Sequence, residues 1–208
     1  MASPSLDQKS TSTLSASSPL DGHCTIVDGA SLLEVSPRSI VSVSPFTGSE
    51  VEFNAAIDKL FNSADPSVIK AVELTGKNAC VLLPSAHSQW FLCFDGEVPD
   101  PVATASNLLG RMTSNQVAMT DQSDAWVILA LTGPLIHLTL ERICPIDCSS
   151  PAMPIGTTAR TFIEHIGTII LRRPDDDNGN PCFWLMSARS SAASFLQVIA
   201  SSPPFTPQ

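Results

Sequence analysis

The chain has 208 residues, the length of one domain of ordinary size, and we expect a single folded domain. Its formal net charge is −9, and its eleven Lys and Arg residues include one adjacent pair, Arg172-Arg173. The chain therefore lacks the clustered basic charge with which proteins bind phosphate backbones. This composition excludes a strongly electrostatic nucleic-acid partner and leaves at most weak contact with RNA.

The first 22 residues are rich in Ser and Thr and have few large apolar side chains. This predicts a flexible N-terminal tail at 1–22, followed by a single β-rich domain at 23–208. The tail has no apolar run of signal-peptide length, and the longest apolar run, at 125–131, is much shorter than the roughly 20 residues that span a bilayer. We therefore expect a protein that is neither secreted nor membrane-spanning.

Short apolar segments, interrupted by Pro and Gly and rich in Val, Ile, Phe and Trp, follow the tail. Such segments are typical of strands packed in a sandwich or barrel. AWVILAL at 125–131 is apolar on both faces and predicts a strand covered on both sides. LIHLTLE at 135–141 alternates in polarity and predicts a half-buried strand. The pattern predicts a mainly β fold, an antiparallel, jelly-roll-like sandwich with two or three short helices.

Two helices are predicted from their N-terminal signals. Ser49 and Glu52 have the spacing of a capping box at the start of 49–62, whose apolar residues share one helical face. Asp100 is a candidate N-cap, with Pro101 in the first helical position. The segment 187–200 is ambiguous, because its apolar residues fit a helix and its serines fit an extended edge equally well.

RRPDDDNGNPCFWLM at 172–186 concentrates more functional groups than any other stretch. An EF-hand register with Gly179 in the sixth position places Pro174 first and Leu185 twelfth, where oxygen ligands are required, so an EF-hand is excluded. Asn178-Gly179 instead favours a turn between two strands, with Gly179 at positive φ and the neighbouring aspartates in solvent. A calcium site completed by a neighbouring subunit stays open as the alternative for three carboxylates: Asp175, Asp176 and Asp177.

The six cysteines have irregular spacing and predict reduced, mostly buried thiols. Cys144 and Cys148 lie close in sequence, but they have neither a second zinc-binding pair nor the two-residue gap of a redox motif, so we expect a structural role. A cysteine hydrolase that uses Cys144 or Cys93 with His137 or His165 has no local signature. We find no motif that specifies a reaction, and we predict no catalytic residue, no metal ligand and no cofactor.

The order of the segments resembles the coat proteins of small icosahedral RNA viruses, especially the tymovirus-like group. The resemblance covers about residues 40–200 and rests on VIKAVELTGKNACVLLP, on SQWFLCFDGEVPDPVATASNLL, in which a strand passes through a Pro-rich turn into a short helix, on GTIILRR, and on NPCFWLMSARSSAASF. It implies an eight-stranded jelly roll and an N-terminal arm without a basic run, which agrees with the neutral tail of this chain.

Low charge and many apolar segments also suit extensive subunit contacts, since obligate interfaces are large and apolar. We therefore expect a structural protein rather than an enzyme, a subunit of a small viral capsid located in the virion or host cytoplasm. Its expected partner is itself, in a large homo-oligomer, and no small-molecule substrate is identified. A non-catalytic adaptor or host-interaction protein and an enzyme of unrecognised class are the two alternatives.

Overall fold

The structure is a computed structural model that describes residues 17–35, 38–61, 71–76, 78–110, 112 and 115–206. Across these ranges, eleven β-strands form two sheets in which neighbouring strands are antiparallel. In chain order the strands are β1 (Cys24–Val27), β2 (Ala30–Glu34), β3 (Ile40–Pro45), β4 (Val72–Leu74), β5 (Cys80–Ala86), β6 (Gln89–Phe94), β7 (Val117–Asp121), β8 (Trp126–Thr132), β9 (Thr158–Ile163), β10 (Ile166–Arg173) and β11 (Cys182–Ala188).

The segment of chain that forms one sheet is inserted, in sequence, between two strands of the other sheet. The six-stranded sheet has the order β1-β2-β8-β11-β10-β9, and the five-stranded sheet has the order β4-β5-β6-β3-β7. All strands of the five-stranded sheet lie in sequence between β2 and β8, which are neighbours in the six-stranded sheet, with Ser31 opposite Thr132. The connections from β2 to β3 and from β7 to β8 therefore cross between the sheets.

The two sheets pack face to face, which confirms the predicted antiparallel sandwich. Their shared core is a cluster of buried apolar residues that includes Leu83 and Phe91 from the five-stranded sheet and Trp184 and Met186 from the six-stranded sheet. Burial of this apolar surface is the main force that holds the sheets together.

The strand predicted at 125–131 is confirmed as β8, and both of its faces are buried. Ile128 and Ala130 belong to the cluster between the sheets. The alternate residues of the strand face the other way, into the cluster beneath the helices: Val127, Leu129 and Leu131. A strand with this double burial reads as a continuous apolar run because neither face meets water.

Among the described residues, four α-helices cover the outer faces of the sandwich, where two or three were predicted. Helices α1 (Glu50–Phe61) and α2 (Pro101–Leu108) cover the five-stranded sheet, and α3 (Ile136–Ile143) and α4 (Ala192–Ala200) cover the six-stranded sheet. The predicted N-cap is confirmed, because the side chain of Asp100 accepts a hydrogen bond from Ala103 N at 2.8 Å. In the described part of the chain, no helix has the length and apolar character to cross a membrane.

The prediction of a strand at 135–141 is wrong, because this segment forms most of helix α3. The buried residues of the helix have helical spacing: Ile136, Thr139, Leu140 and Ile143. Over seven residues a period of two and a period of 3.6 select several of the same positions, so the alternation was not decisive. The ambiguous segment at 187–200 ends in α4, which buries Phe195 and Ile199.

The connection predicted around Asn178-Gly179 joins two neighbouring antiparallel strands, β10 and β11. Arg173 lies opposite Cys182 in the ladder, and residues 174–181 join the two strands. Gly179 has a φ of 78°, which confirms the predicted positive φ.

Candidate functional site

A cavity of about 500 Å³ lies at the seam between the two sheets, where the two crossing connections run side by side. Its walls also include residues that precede β1, residues before α2, and Arg189 after β11. This volume lies within the range of about 300–1,000 Å³ that is usual for small-molecule sites. We call it the seam cavity, and its main polar residues are Glu34, Arg38, Asp121, Asp124, Trp126 and Arg189.

Backbone and side-chain hydrogen bonds fix the walls of the seam cavity. Val35 N donates to Ile128 O at 2.9 Å, which ties the start of the first connection to β8. Gln122 N donates to Ile40 O at 2.7 Å, and Ser123 Oγ accepts from Ile40 N at 3.0 Å. The second connection is thus held against the start of β3, so the cavity is built into the fold.

Acidic groups outnumber basic groups around the seam cavity. Two guanidiniums, Arg38 and Arg189, face four carboxylates: Glu34, Glu97, Asp121 and Asp124. The charge balance favours a ligand that carries a positive group.

Arg38 is held in the wall by three different contacts. Its Nη1 donates to Phe94 O at 3.1 Å, its Nη2 lies 3.0 Å from Asp95 Oδ1, and its guanidinium lies 4.5 Å from the centroid of the Trp184 ring. Burial lowers the pKa of Arg38 from its ordinary value, and the nearby Asp95 carboxylate opposes this shift. Arginine remains charged in proteins, so Arg38 is a fixed positive group.

Three residues of the cavity wall each carry a buried polar atom without a hydrogen-bond partner: Glu34 Oε1, Arg38 Nε and Trp126 Nε1. Among the described residues, the other such side-chain atom is Thr158 Oγ1. A buried polar atom left without a hydrogen-bond partner costs about 1–3 kcal/mol, so such atoms are rare in folded proteins. Their grouping in one cavity makes the seam cavity the candidate site for a polar ligand. The other carboxylate oxygen of Glu34 accepts from Ser18 Oγ and from Gly22 N.

A second cavity, of about 210 Å³, lies between α3 and the β10–β11 connection. Its walls include His137, Glu141, Asp147, Cys148 and Arg172. We call it the helix-end cavity. His137 Nδ1 lies 3.0 Å from Pro134 O, which holds the ring against the turn that precedes α3.

The structure brings the two cysteines of ICPIDC together, with Cys144 Sγ and Cys148 Sγ 3.7 Å apart. Cys93 was the other candidate nucleophile, and burial raises the pKa of its thiol to about 12, so it is a poor nucleophile at neutral pH. His165, the other candidate base, is exposed in the tight turn between β9 and β10, with a φ of 73°.

The three aspartates of the β10–β11 connection lie at the surface, as expected, with Asp175 and Asp177 exposed and Asp176 half-buried, and two of them also have protein partners. Asp175 forms an ion pair with the buried Arg172. Asp176 accepts hydrogen bonds from Asn178 N at 2.9 Å and from Asn180 N at 2.8 Å, and these contacts lower the pKa of its carboxyl group. Asp177 is exposed. Within the described ranges, no group of three or more potential ligands is close enough to hold a metal ion.

No protein-family model matches this sequence, and no curated protein matches it. Among solved structures, the fold is similar to a chain of the heterotetrameric sarcosine oxidase from Corynebacterium sp. U-96, solved in complex with pyrrole 2-carboxylate. The TM-score is 0.68 and the sequence identity is 17%, and the match covers 88% of this chain and 92% of that chain.

The fold is also similar to glycine cleavage system aminomethyltransferase T from Bartonella henselae, with a TM-score of 0.57 and 14% identity. That match covers 83% of this chain but 46% of the aminomethyltransferase, so this chain corresponds to about half of that protein. Both similarities describe the fold.

These similarities overturn the resemblance to viral coat proteins, and with it the expected capsid function and virion location. The expectation of a protein that is not an enzyme is also wrong, since both neighbours are enzyme structures. The error has a physical cause. Short strands, frequent Pro and low charge are properties of sandwiches in general, and they do not distinguish a capsid jelly roll from a sandwich covered by helices on both outer faces.

Proposed function

We propose that this chain is a subunit of a hetero-oligomeric metabolic enzyme comparable to heterotetrameric sarcosine oxidase. The observation that carries the proposal is the coverage in both directions, 88% of this chain and 92% of the matched chain, at a TM-score of 0.68. The matched chain is thus a whole polypeptide of similar length that works within an assembly of several chains. The aminomethyltransferase supports the proposal less directly, because it is about twice the length of the matched segment.

The six-stranded sheet offers surface for partner chains at its two edges. In the described part of the chain, no strand pairs with the outer sides of β1 and β9. Each edge strand carries a large apolar side chain in solvent, with Ile26 73% and Phe162 66% exposed. Open edges with exposed apolar side chains favour pairing with another chain.

The seam cavity gives the proposed subunit a place for a small ligand. Glu34 Oε1 is a free acceptor, and Arg38 Nε and Trp126 Nε1 are free donors. A small zwitterion has an ammonium group for the first and a carboxylate for the other two, and the excess of acidic groups around the cavity favours the ammonium group. Sarcosine, which the name of the matched enzyme contains, is an N-methyl amino acid of this kind.

The proposal is tested by purifying the tagged chain under native conditions from cells that encode it. We expect a complex with at least one larger polypeptide in fixed stoichiometry, and oxygen uptake by that complex when sarcosine or another N-methyl amino acid is added. Replacing both edge residues, Ile26→Glu with Phe162→Glu, should release the partner, whereas Val51→Glu on α1, which is 78% exposed, should not.

Other results would overturn the proposal. A monomer without a stoichiometric partner would do so, as would a particle composed of this chain alone, which would instead support the self-association expected from the sequence. Ligand binding is tested separately by calorimetry with sarcosine. Glu34→Gln should weaken binding at least about tenfold, because it removes the proposed ammonium partner. Asp177→Asn removes the same charge from an exposed loop and should leave binding unchanged.

A further inference from the structure

Cys144 and Cys148 are held together at the C-terminal end of α3. The helix ends at Ile143, and Cys144 N still donates to Leu140 O at 2.8 Å while its own backbone turns to the extended conformation. Cys148 Sγ lies 3.7 Å from Cys144 Sγ and 3.5 Å from Ile146 O. The thiols are therefore in direct contact, although three residues separate them in sequence.

The loop that returns Cys148 to the helix end is fixed by its own hydrogen bonds. Asp147 Oδ1 accepts from Ser149 N at 2.8 Å, and Ser149 O accepts from Ala152 N and Met153 N at 3.0 and 2.8 Å. Cys144 belongs to the core beneath α3 and α4, and Ile146 and Cys148 pack against that core. These contacts hold the loop so that the two sulfur atoms remain adjacent.

Small reagents reach the pair from the side of Cys148, which is half-buried and lines the helix-end cavity, whereas Cys144 lies directly behind it and is 8% exposed. Two other cysteines, Cys80 and Cys93, are buried, and burial raises the pKa of each thiol to about 12. The Cys144–Cys148 pair thus combines access with a neighbouring sulfur, the two requirements for a thiol that is oxidised and then resolved.

We propose that Cys144 and Cys148 form a redox-active dithiol, which a hydroperoxide converts to an intramolecular disulfide. The sulfur atoms must approach from 3.7 Å to about 2.05 Å, a distance that side-chain rotation can supply. This inference does not rest on the proposed enzyme assembly, since it concerns a different cavity and the chain alone.

The reaction balances in two steps. The Cys144 thiol first loses its proton, and the thiolate attacks one oxygen of hydrogen peroxide. The O–O bond breaks, and the products are a sulfenic acid and a hydroxide, which takes up the proton that Cys144 lost and becomes water. The Cys148 sulfur then attacks the sulfenic sulfur, the S–O bond breaks, and the thiol proton leaves with the hydroxyl group as water. In total two thiols lose two protons and two electrons, and one hydrogen peroxide becomes two waters.

The thiol contact also explains why Cys144 reacts first. The hydrogen bond from Cys148 and the backbone hydrogen bond from Ile146 lower the pKa of the Cys144 thiol to about 7, against the opposing effect of burial. The same contact raises the pKa of Cys148, which stays protonated and serves as the resolving thiol.

The test uses the full chain, reduced and then treated with hydrogen peroxide at neutral pH. Peptide mapping should find residues 143–160 with two fewer hydrogens and an internal disulfide. The two thiols should be lost more than about tenfold faster than Cys24, an exposed cysteine whose thiol has no such neighbour. A thiol reductant should restore both.

Variants make the test specific. Cys24→Ser should leave the reaction unchanged, whereas Cys148→Ser should stop at a sulfenic acid that a 1,3-diketone reagent traps on Cys144. Cys144→Ser should abolish both products. Thermal melting of the reduced variants checks that they are folded, and peptide mapping of the unsubstituted chain needs no variant. Oxidation of Cys144 and Cys148 no faster than Cys24, or disulfides formed with other cysteines, would overturn the proposal.

Discussion

Gly133→Ala should destabilise the fold far more than an ordinary surface substitution, because Gly133 lies against the β1–β2 turn. A Cβ on Gly133 would lie 2.4 Å from Gly29 O and 2.8 Å from Ala30 Cα, both backbone atoms that cannot rotate away. The residue also has a φ of 135°, a conformation that costs a side chain about 1–3 kcal/mol. Relief of the clash would move the turn and weaken the hydrogen bond from Leu135 N to Gly29 O, now 2.9 Å, at a cost of about 1 kcal/mol.

The sum is a loss of about 3 kcal/mol or more in the free energy of unfolding, out of about 5–15 kcal/mol for a typical domain. Gly179→Ala is the matched control, because Gly179 also has positive φ, 78°, but its Cβ would meet nothing within 4 Å. The control should lose only the backbone part, about 1–2 kcal/mol. Urea denaturation followed by tryptophan fluorescence measures both values.

The comparison has a clear negative result. If Gly133→Ala costs no more than Gly179→Ala, the β1–β2 turn does not press against Gly133 as the structure shows. The hydrogen bond from Leu135 N to Gly29 O would then not hold the residue before α3 against this turn.

Two further pairs of substitutions test the core and the β10–β11 connection. Phe53→Ala should cost about 3–5 kcal/mol in urea denaturation, because the side chain is 0% exposed beneath α1, whereas Val51→Ala on the same helix should change stability by less than about 0.5 kcal/mol; equal losses would contradict the packing of α1. Asp176→Asn should lower the melting temperature at pH about 6 more than Asp177→Asn does. The hydrogen bonds lower the pKa of Asp176, so its ionised form stabilises the fold above its ordinary pKa of 3.8, and this advantage disappears as the pH falls through the lower folded-state pKa. A difference between the two variants that is unchanged at pH about 2 would argue against this role.

Much of the fold could be predicted from local signals. The doubly buried β8, the start of α2 at Asp100-Pro101 and the turn at Gly179 each depend on a few adjacent residues, and each was confirmed. The segment at 135–141 was not, because its burial is decided by the sheet on which it packs rather than by its own alternation. The extent of the flexible tail stays a prediction, since residues 1–16 lie outside the described residues.

The candidate sites were largely hidden from sequence. Glu34, Arg38, Trp126 and Arg189 span most of the chain and meet because two connections cross between the sheets, so no local motif marks the seam cavity. Cys144 and Cys148 were visible as a pair but were assigned a structural role from their spacing. The spacing did not show that the two sulfur atoms are in contact, because that contact depends on where α3 ends and on the loop that follows it.

The insertion of one sheet within the other has a consequence for how the chain folds during synthesis. All strands of the five-stranded sheet lie between residues 40 and 121, so this sheet can form as soon as that segment leaves the ribosome. β2 cannot meet β8 until about a hundred residues later, at Thr132, and closing so long a loop carries an entropic cost. Early formation of the inserted sheet shortens the effective loop, because its first and last pairing partners, β3 and β7, are neighbours. We therefore expect the inserted sheet to fold first and the β2–β8 ladder to be the slow step.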